Sequence, residues 1–206
     1  MCGRFTLVKS TDEVLKHFDV EILPDLFPRE NIAPTQGILA IRRTAEGRRE
    51  GRLLRWGLIP SWTKEMPRSR PLINARGETV NEKPSFRKAF LHRRCLLPAD
   101  GYYEWKEDDG KKKPFHVHFQ DHRPFAMAGL HELWRNPETG DPLESCTIIT
   151  TEAAPDISSL HDRMPVILPK ACYEAWLNPA TPPEELLSML RPWQGHDLEI
   201  GTASLK

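Results

Sequence analysis

The chain opens MCGRF, which places a cysteine directly after the initiator methionine. A second residue as small as Cys2 normally allows Met1 to be removed, so the mature chain would carry an amine and a thiol on one residue. An α-amine has a pKa of about 8, against about 10.4 for a lysine amine, so more of it is unprotonated at neutral pH. Such an amine forms a Schiff base with an aldehyde, and the neighbouring thiol then closes a five-membered thiazolidine in an intramolecular step.

Two other interpretations of Cys2 stay open on these residues alone. In an N-terminal-nucleophile hydrolase, the thiolate attacks an amide carbonyl and the terminal amine acts as its base. Alternatively, the small second residue reflects only the preference of N-terminal processing, and the dipeptide carries no chemistry.

The stretch LINARGET (72–79) brings together an asparagine, an arginine and a glycine. The amide offers hydrogen-bond donors, the guanidinium is planar and charged, and the glycine allows a tight turn. This set suits the binding of a phosphate or a sugar oxygen. The alternative is a plain turn with a solvated arginine.

The stretch ADGYYEWKE (99–107) combines a carboxylate with aromatic residues. In a strand, Glu104 shares one face with Tyr102, while Trp105 lies on the other. A carboxylate in an aromatic setting can have its pKa raised and act as a general acid or base near neutral pH. The alternative is a glutamate on a sheet surface with no chemical role.

Histidines suggest two further candidate sites. SSLHDRMPVIL (158–168) places His161 and Arg163 before a proline and an apolar strand. His161 suits proton transfer and Arg163 suits phosphate binding, with a structural histidine at a strand entry as the alternative. His116 and His118 alternate with apolar residues in FHVHF, and we interpret them as a solvated strand face rather than a metal site.

Tryptophans bracket the proline of WGLIPSW. We expect Trp56 to pack in the core and Trp62 to lie in the following loop. An exposed indole beside arginines can stack on unpaired bases or wedge into the end of a helix. The arginines near it in sequence are Arg68, Arg70 and Arg76.

Patterning predicts short elements in the first half of the chain. STDE (10–13) has the form of a capping box, so a short helix should begin there. The segments 37–43 and 51–59 read as a β-hairpin. Residues 60–84 lack periodicity and are expected to form a long ordered loop, which the predicted helix at 85–94 follows.

From Cys95 onward the pattern favours a meander of antiparallel strands, with turn signals at DDGKKK, QDHRP and NPETGD. Two helices are expected at KACYEAWL and PPEELLSML. The predicted fold is therefore α+β, with a mainly antiparallel sheet core that is curved or barrel-like and with several helices packed against it.

Composition narrows the function classes. The 206 residues, 39% of them apolar, favour a single domain, and 29 basic residues balance 29 acidic ones, so no overall field attracts a polyanion. No segment is apolar enough for a signal peptide or a membrane span, so we expect a cytosolic protein. Cys95, Cys146 and Cys172 lie in apolar stretches and are expected to be buried thiols.

The motifs become specific in combination. MCGRF, NIAPTQ, RWGLIPSW, LINARGET, ADGYYEWK and HDRMPVIL, in this order, closely resemble the SOS-response-associated peptidase (SRAP) family of abasic-site processing proteins. The resemblance runs from residue 2 to about residue 178 of an expected single domain, 2–206. The last ten residues, DLEIGTASLK, depart from the family pattern, so the end of the chain is read as divergent or truncated.

The resemblance implies a chemistry. Family members sense abasic sites in single-stranded DNA, where the sugar can open to an aldehyde, and Cys2 would be the nucleophile that forms a thiazolidine with it and shields the site. Asn74 would orient the amine and the opened sugar, Glu104 would transfer protons, and His161 would protonate the sugar oxygen. An abasic-site lyase activity and an autoproteolytic release of Met1 are also implied.

The resemblance also implies a DNA-binding surface. The residues expected to line the phosphate path are Arg4, Asn31, Arg76, Thr150 and Arg163. Trp62 and Trp105 are expected to meet the bases next to the lesion. No metal or organic cofactor is implied, and we expect a monomer that associates with the nucleoid during DNA damage.

Two competing functions follow from the same residues. An N-terminal-nucleophile amidohydrolase or thiol peptidase would turn over an amide without DNA. A non-covalent single-stranded DNA binder would keep the groove but have no chemistry.

Overall fold

The computed structural model describes residues 2–67, 71–108 and 110–205, except for the side chain of Asp108. Arg68 and Arg70, which the sequence places near Trp62, lie outside the described residues. The described chain forms two β-sheets with short helices packed around them. The helices are α1 (Thr11–Phe18), α2 (Arg87–His92), α3 (Pro155–Ser158), α4 (Tyr173–Leu177) and α5 (Pro183–Ser188), with 3-10 turns at Gly77–Thr79 and Lys170–Cys172.

The strands account for most of the regular structure. In chain order they are β1 (Arg4–Leu7), β2 (Arg29–Ile32), β3 (Gly37–Arg43), β4 (Arg49–Trp56), β5 (Asn74–Arg76), β6 (Arg94–Ala99), β7 (Gly101–Asp108), β8 (Lys111–Phe119), β9 (Phe125–Arg135), β10 (Pro142–Glu152), β11 (Arg163–Pro165), β12 (Ile167–Leu168) and β13 (Leu198–Thr202).

The larger sheet closes on itself. Its strands run β11-β10-β4-β3-β6-β9-β12, and β10 also pairs with β9, so β10, β4, β3, β6 and β9 form a closed circuit. Closure leaves these strands with no free edge within the circuit, and their inward side chains fill the centre. The predicted α+β fold with a barrel-like core is confirmed.

The smaller sheet carries the start of the chain. Its order is β13-β8-β7-β1-β2, so β1 lies between β7 and β2. The opposed residues include Phe5 and Tyr102 on β1 and β7, and Phe5 and Ile32 on β1 and β2. The residues after Cys2 are therefore an internal strand rather than a free terminus.

The meander predicted from Cys95 onward is wrong in two places. The stretch CLLPADGYYEWKE, which reads as one strand, divides at Asp100 into β6 in the barrel and β7 in the smaller sheet. The strands β8 and β9 also lie in different sheets and do not pair. The buried Asp100 carboxylate accepts hydrogen bonds from the Thr6 hydroxyl at 2.5 Å and from the backbone amides of Val8 at 2.5 Å and Lys9 at 3.2 Å. These bonds fasten β1 to the point where the two sheets meet.

Other predictions are confirmed with shifted boundaries. Ser10 caps α1 with the reciprocal Ser10–Glu13 capping box, and the β3–β4 hairpin forms. The loop predicted for 60–84 is wrong in part, because β5 lies inside it. Two further helices, α4 and α5, form where they were predicted, and the unassigned C-terminal residues include β13, which pairs with β8.

Side-chain burial tests the predicted core. Trp56, Cys95 and Cys146 are fully buried, as expected. Cys172 is only half-buried, so its expected burial is wrong in degree. His116 and His118 are also half-buried rather than solvated, and Nε2 of His116 lies 3.2 Å from the Thr6 hydroxyl. None of the described helices is long and apolar enough to cross a membrane.

Replacement of Asp100 tests how β1 is held. Asp100→Ala removes a buried carboxylate and leaves the Val8 and Lys9 amides without their acceptor. Since hydrogen bonds to charged groups contribute about 1.5–3 kcal/mol each, we expect the free energy of unfolding to fall by about 3 kcal/mol. Urea denaturation measures it, with the exposed Asp121→Ala as control. A loss no larger than that of Asp121→Ala would show that this junction does not hold β1.

Candidate active site and nucleic-acid interface

Cys2 is fixed through its backbone. The Asn74 side-chain amide donates a hydrogen bond to the Cys2 carbonyl oxygen at 2.8 Å, and β1 begins two residues later. The Cys2 side chain is fully buried, and its Sγ atom lies 3.9 Å from the Arg4 carbonyl oxygen. A residue at the start of a chain usually frays. Here the backbone beside the thiol has one defined position.

Asn74 owes its own position to a short parallel pairing. It is the first residue of β5 and lies opposite Ile148 on β10. Its Nδ2 group donates to the Cys2 carbonyl oxygen, while its buried Oδ1 atom has no hydrogen-bond partner among the described residues. A buried acceptor without a partner is costly unless a ligand or water supplies a donor. Asn74 therefore has the chemistry to orient both Cys2 and a bound hydroxyl.

Glu104 is the buried carboxyl group of the site. It lies on β7, is 2% exposed, and interacts electrostatically with both Cys2 and His161. Burial raises the pKa of Glu104 above its ordinary value, and the neighbouring His161 acts in the opposite direction. A carboxyl with a raised pKa exchanges protons closer to neutral pH, as a general acid or base requires.

His161 follows α3 and is held by its own loop. Its Nδ1 atom lies 2.9 Å from the Arg163 backbone amide and 2.7 Å from a carboxylate oxygen of Asp162. An unprotonated Nδ1 accepts from the amide, whereas a protonated Nδ1 donates to Asp162. The ring is therefore held by the loop that carries it.

The surroundings of the Cys2 thiol disfavour the thiolate. Burial raises its pKa well above the ordinary value for cysteine, and the Glu104 carboxylate adds to the effect. Hydrolases that attack with sulfur need the opposite shift, because the thiolate is the nucleophile. The raised pKa of the thiol therefore weighs against a hydrolase in which sulfur attacks first.

The residues expected on the phosphate path form two groups. In one, Arg4 donates a hydrogen bond to the Asn31 side chain at 2.8 Å. In the other, Arg163 donates to the carbonyl oxygen of the buried Thr150 at 2.8 Å. Arg76 lies directly opposite Thr150 across the β5–β10 pairing and is exposed. The second group therefore brings together residues that lie up to 87 positions apart, as counted from Arg76 to Arg163.

Arg163 has an acidic partner that the sequence did not reveal. Glu78 accepts from the two terminal guanidinium nitrogens, Nη1 at 2.5 Å and Nη2 at 2.9 Å, and Arg163 holds the pKa of Glu78 below its ordinary range. Because the contact spans 85 positions, no local pattern indicates it. A phosphate that approaches Arg163 must compete with this carboxylate.

Trp62 and Trp105 differ in how far their side chains are exposed to solvent. Trp62 is 63% exposed, although its neighbours are held: Ser61 Oγ lies 3.4 Å from Glu132, and the Trp134 indole donates to the Thr63 carbonyl oxygen at 2.6 Å. A side chain that is exposed on an anchored loop suits base stacking. Trp105 is half-buried, on the face of β7 opposite to Glu104.

The fold and the site together define a class of α+β proteins. In this class the second residue is a cysteine that is held by a hydrogen bond to its backbone and interacts with a buried carboxyl group. The family model for SOS response associated peptidase (SRAP) matches residues 1–205. The chain belongs to this family, as its motifs indicated.

Several similar proteins are named abasic site processing proteins. The chain is 46% identical to abasic site processing protein YoqW of Bacillus subtilis over 97% of this chain and 90% of that protein. It is 31% identical to abasic site processing protein YedK of Escherichia coli over 86% and 79% of the two chains. The chicken abasic site processing protein HMCES is 36% identical over 68% of this chain and 48% of its own length.

Solved structures share the fold. A crystal structure of a Bordetella bronchiseptica protein superposes with a TM-score of 0.86 at 28% identity, and covers 99% of this chain and 100% of that one. A Bacteroides thetaiotaomicron protein also gives 0.86, at 27% identity, over 98% and 92% of the two chains. The fold of this chain is thus shared with these two bacterial proteins.

Replacement of Glu104 tests whether its buried carboxyl group lowers the stability of the fold at high pH. Because the folded-state pKa is raised, the ionised carboxylate destabilises the fold increasingly as pH rises from the unfolded value through the folded value. Glu104→Gln should therefore be more stable than wild type at pH 8, with the difference shrinking towards pH 4. Thermal denaturation across this range measures it, and a difference that grows as pH falls would contradict the assignment.

Replacement of Glu78 should strengthen binding of single-stranded DNA. Glu78→Gln removes a carboxylate that competes for Arg163, while Thr150 still holds that arginine. One exposed charge interaction is worth at most about 1 kcal/mol, so we expect about fivefold higher affinity at low salt. Fluorescence anisotropy measures it, with Glu199→Gln on β13 as the charge-matched control. Equal gains in both variants would show only a net-charge effect.

Proposed function

We propose that this protein recognises abasic sites in single-stranded DNA and captures them covalently through Cys2 after Met1 has been removed. The single observation that carries the proposal is the fixed, buried Cys2 beside Asn74 and the raised-pKa carboxyl of Glu104. The relatives named abasic site processing proteins, which match over most of the chain, support the substrate. An opened abasic sugar supplies the aldehyde with which an amine and an adjacent thiol react together.

The proposed reaction has two stages. The Cys2 amine adds to the C1 aldehyde carbon, and the resulting carbinolamine loses water to give an imine. The thiol then adds to the imine carbon, and its proton ends on nitrogen in the thiazolidine. Glu104 would transfer protons in the first stage and in its reversal, and His161 would protonate the sugar oxygen as the ring opens. The buried Oδ1 of Asn74 would accept from the opened sugar.

The same imine accounts for a lyase activity. An imine at C1 makes the neighbouring hydrogen acidic, so the 3′ phosphate can be eliminated before sulfur closes the ring. We propose that closure normally outpaces elimination, which would make protection the main outcome and strand cleavage the minor one. Autoproteolytic release of Met1 would precede both, since only the processed chain has an amine on Cys2.

The proposed DNA path uses local charge rather than net charge. Because 29 basic residues balance 29 acidic ones, the proposal assigns the attraction to a local group, Arg4, Arg76 and Arg163. Asn31 and Thr150 would position two of these arginines, and the exposed Trp62 would stack on a base beside the lesion. We propose that the protein acts as a monomer on nucleoid DNA.

An N-terminal cysteine amidohydrolase is the competing function. It shares the terminal cysteine and the buried glutamate, and it fits the family's peptidase name. The raised pKa of the Cys2 thiol weighs against it, because a sulfur that attacks an amide must be deprotonated first.

A gel assay distinguishes these functions. Met1-processed protein is mixed with a single-stranded oligonucleotide that contains one abasic site, with an intact-base control, and is analysed under denaturing conditions. Wild type should give a heat-stable shifted band that requires the lesion. Cys2→Ala should lose this band while it retains DNA affinity within about twofold, since Cys2 contributes no charge to the path.

The matched control is Cys2→Ser, which keeps the terminal amine but has no thiol. It should form an imine that borohydride traps and that heat otherwise reverses. No band from processed wild-type protein would contradict covalent capture. Hydrolysis of an amide substrate that depends on Cys2 would then establish the competing function.

A further inference from the structure

Tyr102 carries a hydroxyl group that the fold does not use. Its side chain is fully buried, and among the described residues its hydroxyl has no hydrogen-bond partner. The other two tyrosines differ: the Tyr103 hydroxyl donates to the Glu30 carbonyl oxygen at 2.9 Å, and the Tyr173 hydroxyl accepts from the Ala126 amide at 3.1 Å. A phenylalanine at position 102 would pack the same ring without burying an unsatisfied polar atom.

The position of Tyr102 connects it with the site. It lies on β7 two residues before Glu104, so strand alternation places both side chains on the same buried face. Tyr102, Cys2 and Glu104 interact electrostatically with one another. The orphaned hydroxyl therefore belongs to the same cluster as the reacting cysteine.

Its chemical state makes it a donor. Burial raises the pKa of Tyr102 well above its ordinary value, and charge on Cys2 or Glu104 raises it further. This shift favours the protonated phenol. A protonated phenol can donate one hydrogen bond, and no described residue accepts it.

Sulfur in this site needs such a donor. In ring closure the thiol must give up its proton, yet burial and the Glu104 carboxylate both oppose negative charge on Sγ. The hydrogen-bond contact that the structure gives this atom within the described chain is the Arg4 carbonyl, which is an acceptor. A neutral donor can stabilise the developing thiolate without changing the charge of the site.

We infer that Tyr102 acts in the second stage of the reaction, where its hydroxyl donates a hydrogen bond to the Cys2 sulfur as the thiazolidine closes. This inference rests on the proposed function. In the step, a bond forms between sulfur and C1, the imine π electrons move to nitrogen, and the thiol proton ends on that nitrogen. Tyr102 keeps its own proton throughout, so the step balances without another reactant.

The test separates the two stages in time. Wild type and Tyr102→Phe are mixed with an abasic oligonucleotide, and samples are stopped either with borohydride, which preserves the imine, or with heat, which preserves only the closed ring. Tyr102→Phe should form the imine at the wild-type rate. Conversion to the heat-stable product should slow by about tenfold, the effect of one lost hydrogen bond.

A matched variant controls for the loss of a buried hydroxyl. Tyr173→Phe removes one that has a partner and lies outside the site, so it should lower the melting temperature and leave both rates unchanged. Tyr102→Phe should keep or raise the melting temperature, because its hydroxyl is unsatisfied in the fold. The combination of equal or higher stability with slower closure is not expected from a structural defect.

Two results would overturn the inference. One is closure by Tyr102→Phe at the wild-type rate, and the other is equal slowing of imine formation and closure. Failure of the proposed function is distinct from both, because wild-type protein would then give no heat-stable product at all.

Discussion

The structure depends on how the second residue of the chain is held. Cys2 precedes an internal strand, and the hydrogen bond from Asn74 fixes its carbonyl group. Asn74 is in turn placed by the pairing of β5 with β10, and β1 is fastened at Asp100. Of these, Asn74 contacts Cys2 itself, whereas β10 acts through β5 and Asp100 acts through β1. Without them, the amine and thiol that the proposed function requires of a processed Cys2 would sample many positions, at an entropic cost to the reaction.

Burial raises the pKa of both Glu104 and the Cys2 thiol, but the two shifts have opposite consequences for reactivity. It raises the pKa of Glu104, which brings a carboxyl group towards the range where it can exchange protons. It also raises the pKa of the Cys2 thiol, which suppresses the thiolate. Both effects agree with a sequence of events in which an amine attacks first. A sulfur that stays neutral until an imine is present is protected from other electrophiles and oxidants.

Local signals made part of the fold predictable. The Ser10 to Glu13 capping box locates α1 because all of its interactions lie within four residues. By contrast, β5 has three residues and exists because β10 lies beside it, so no pattern within 60–84 could reveal it. The break at Asp100 was missed for the same reason, since its hydrogen bonds reach back to β1.

In the candidate site, too, some features could be predicted from the sequence and others depend on contacts between distant residues. The motifs that resemble the SRAP family supplied its residues, and the family match confirms the resemblance. The pairing of Glu78 with Arg163 joins residues 85 positions apart, so it emerges only from the folded chain. The unsatisfied hydroxyl of Tyr102 is likewise invisible in sequence, because a tyrosine in a strand usually finds a partner.

The central claim is that both the amine and the thiol of Cys2 bond to one sugar carbon. Intact mass spectrometry of the purified adduct, followed by digestion and alkylation of thiols, tests it most directly. The account predicts a mass equal to protein plus abasic oligonucleotide less one water, with the oligonucleotide on the N-terminal peptide and the Cys2 thiol resistant to alkylation. An adduct on a lysine, or a Cys2 thiol that still alkylates within the adduct, would contradict it.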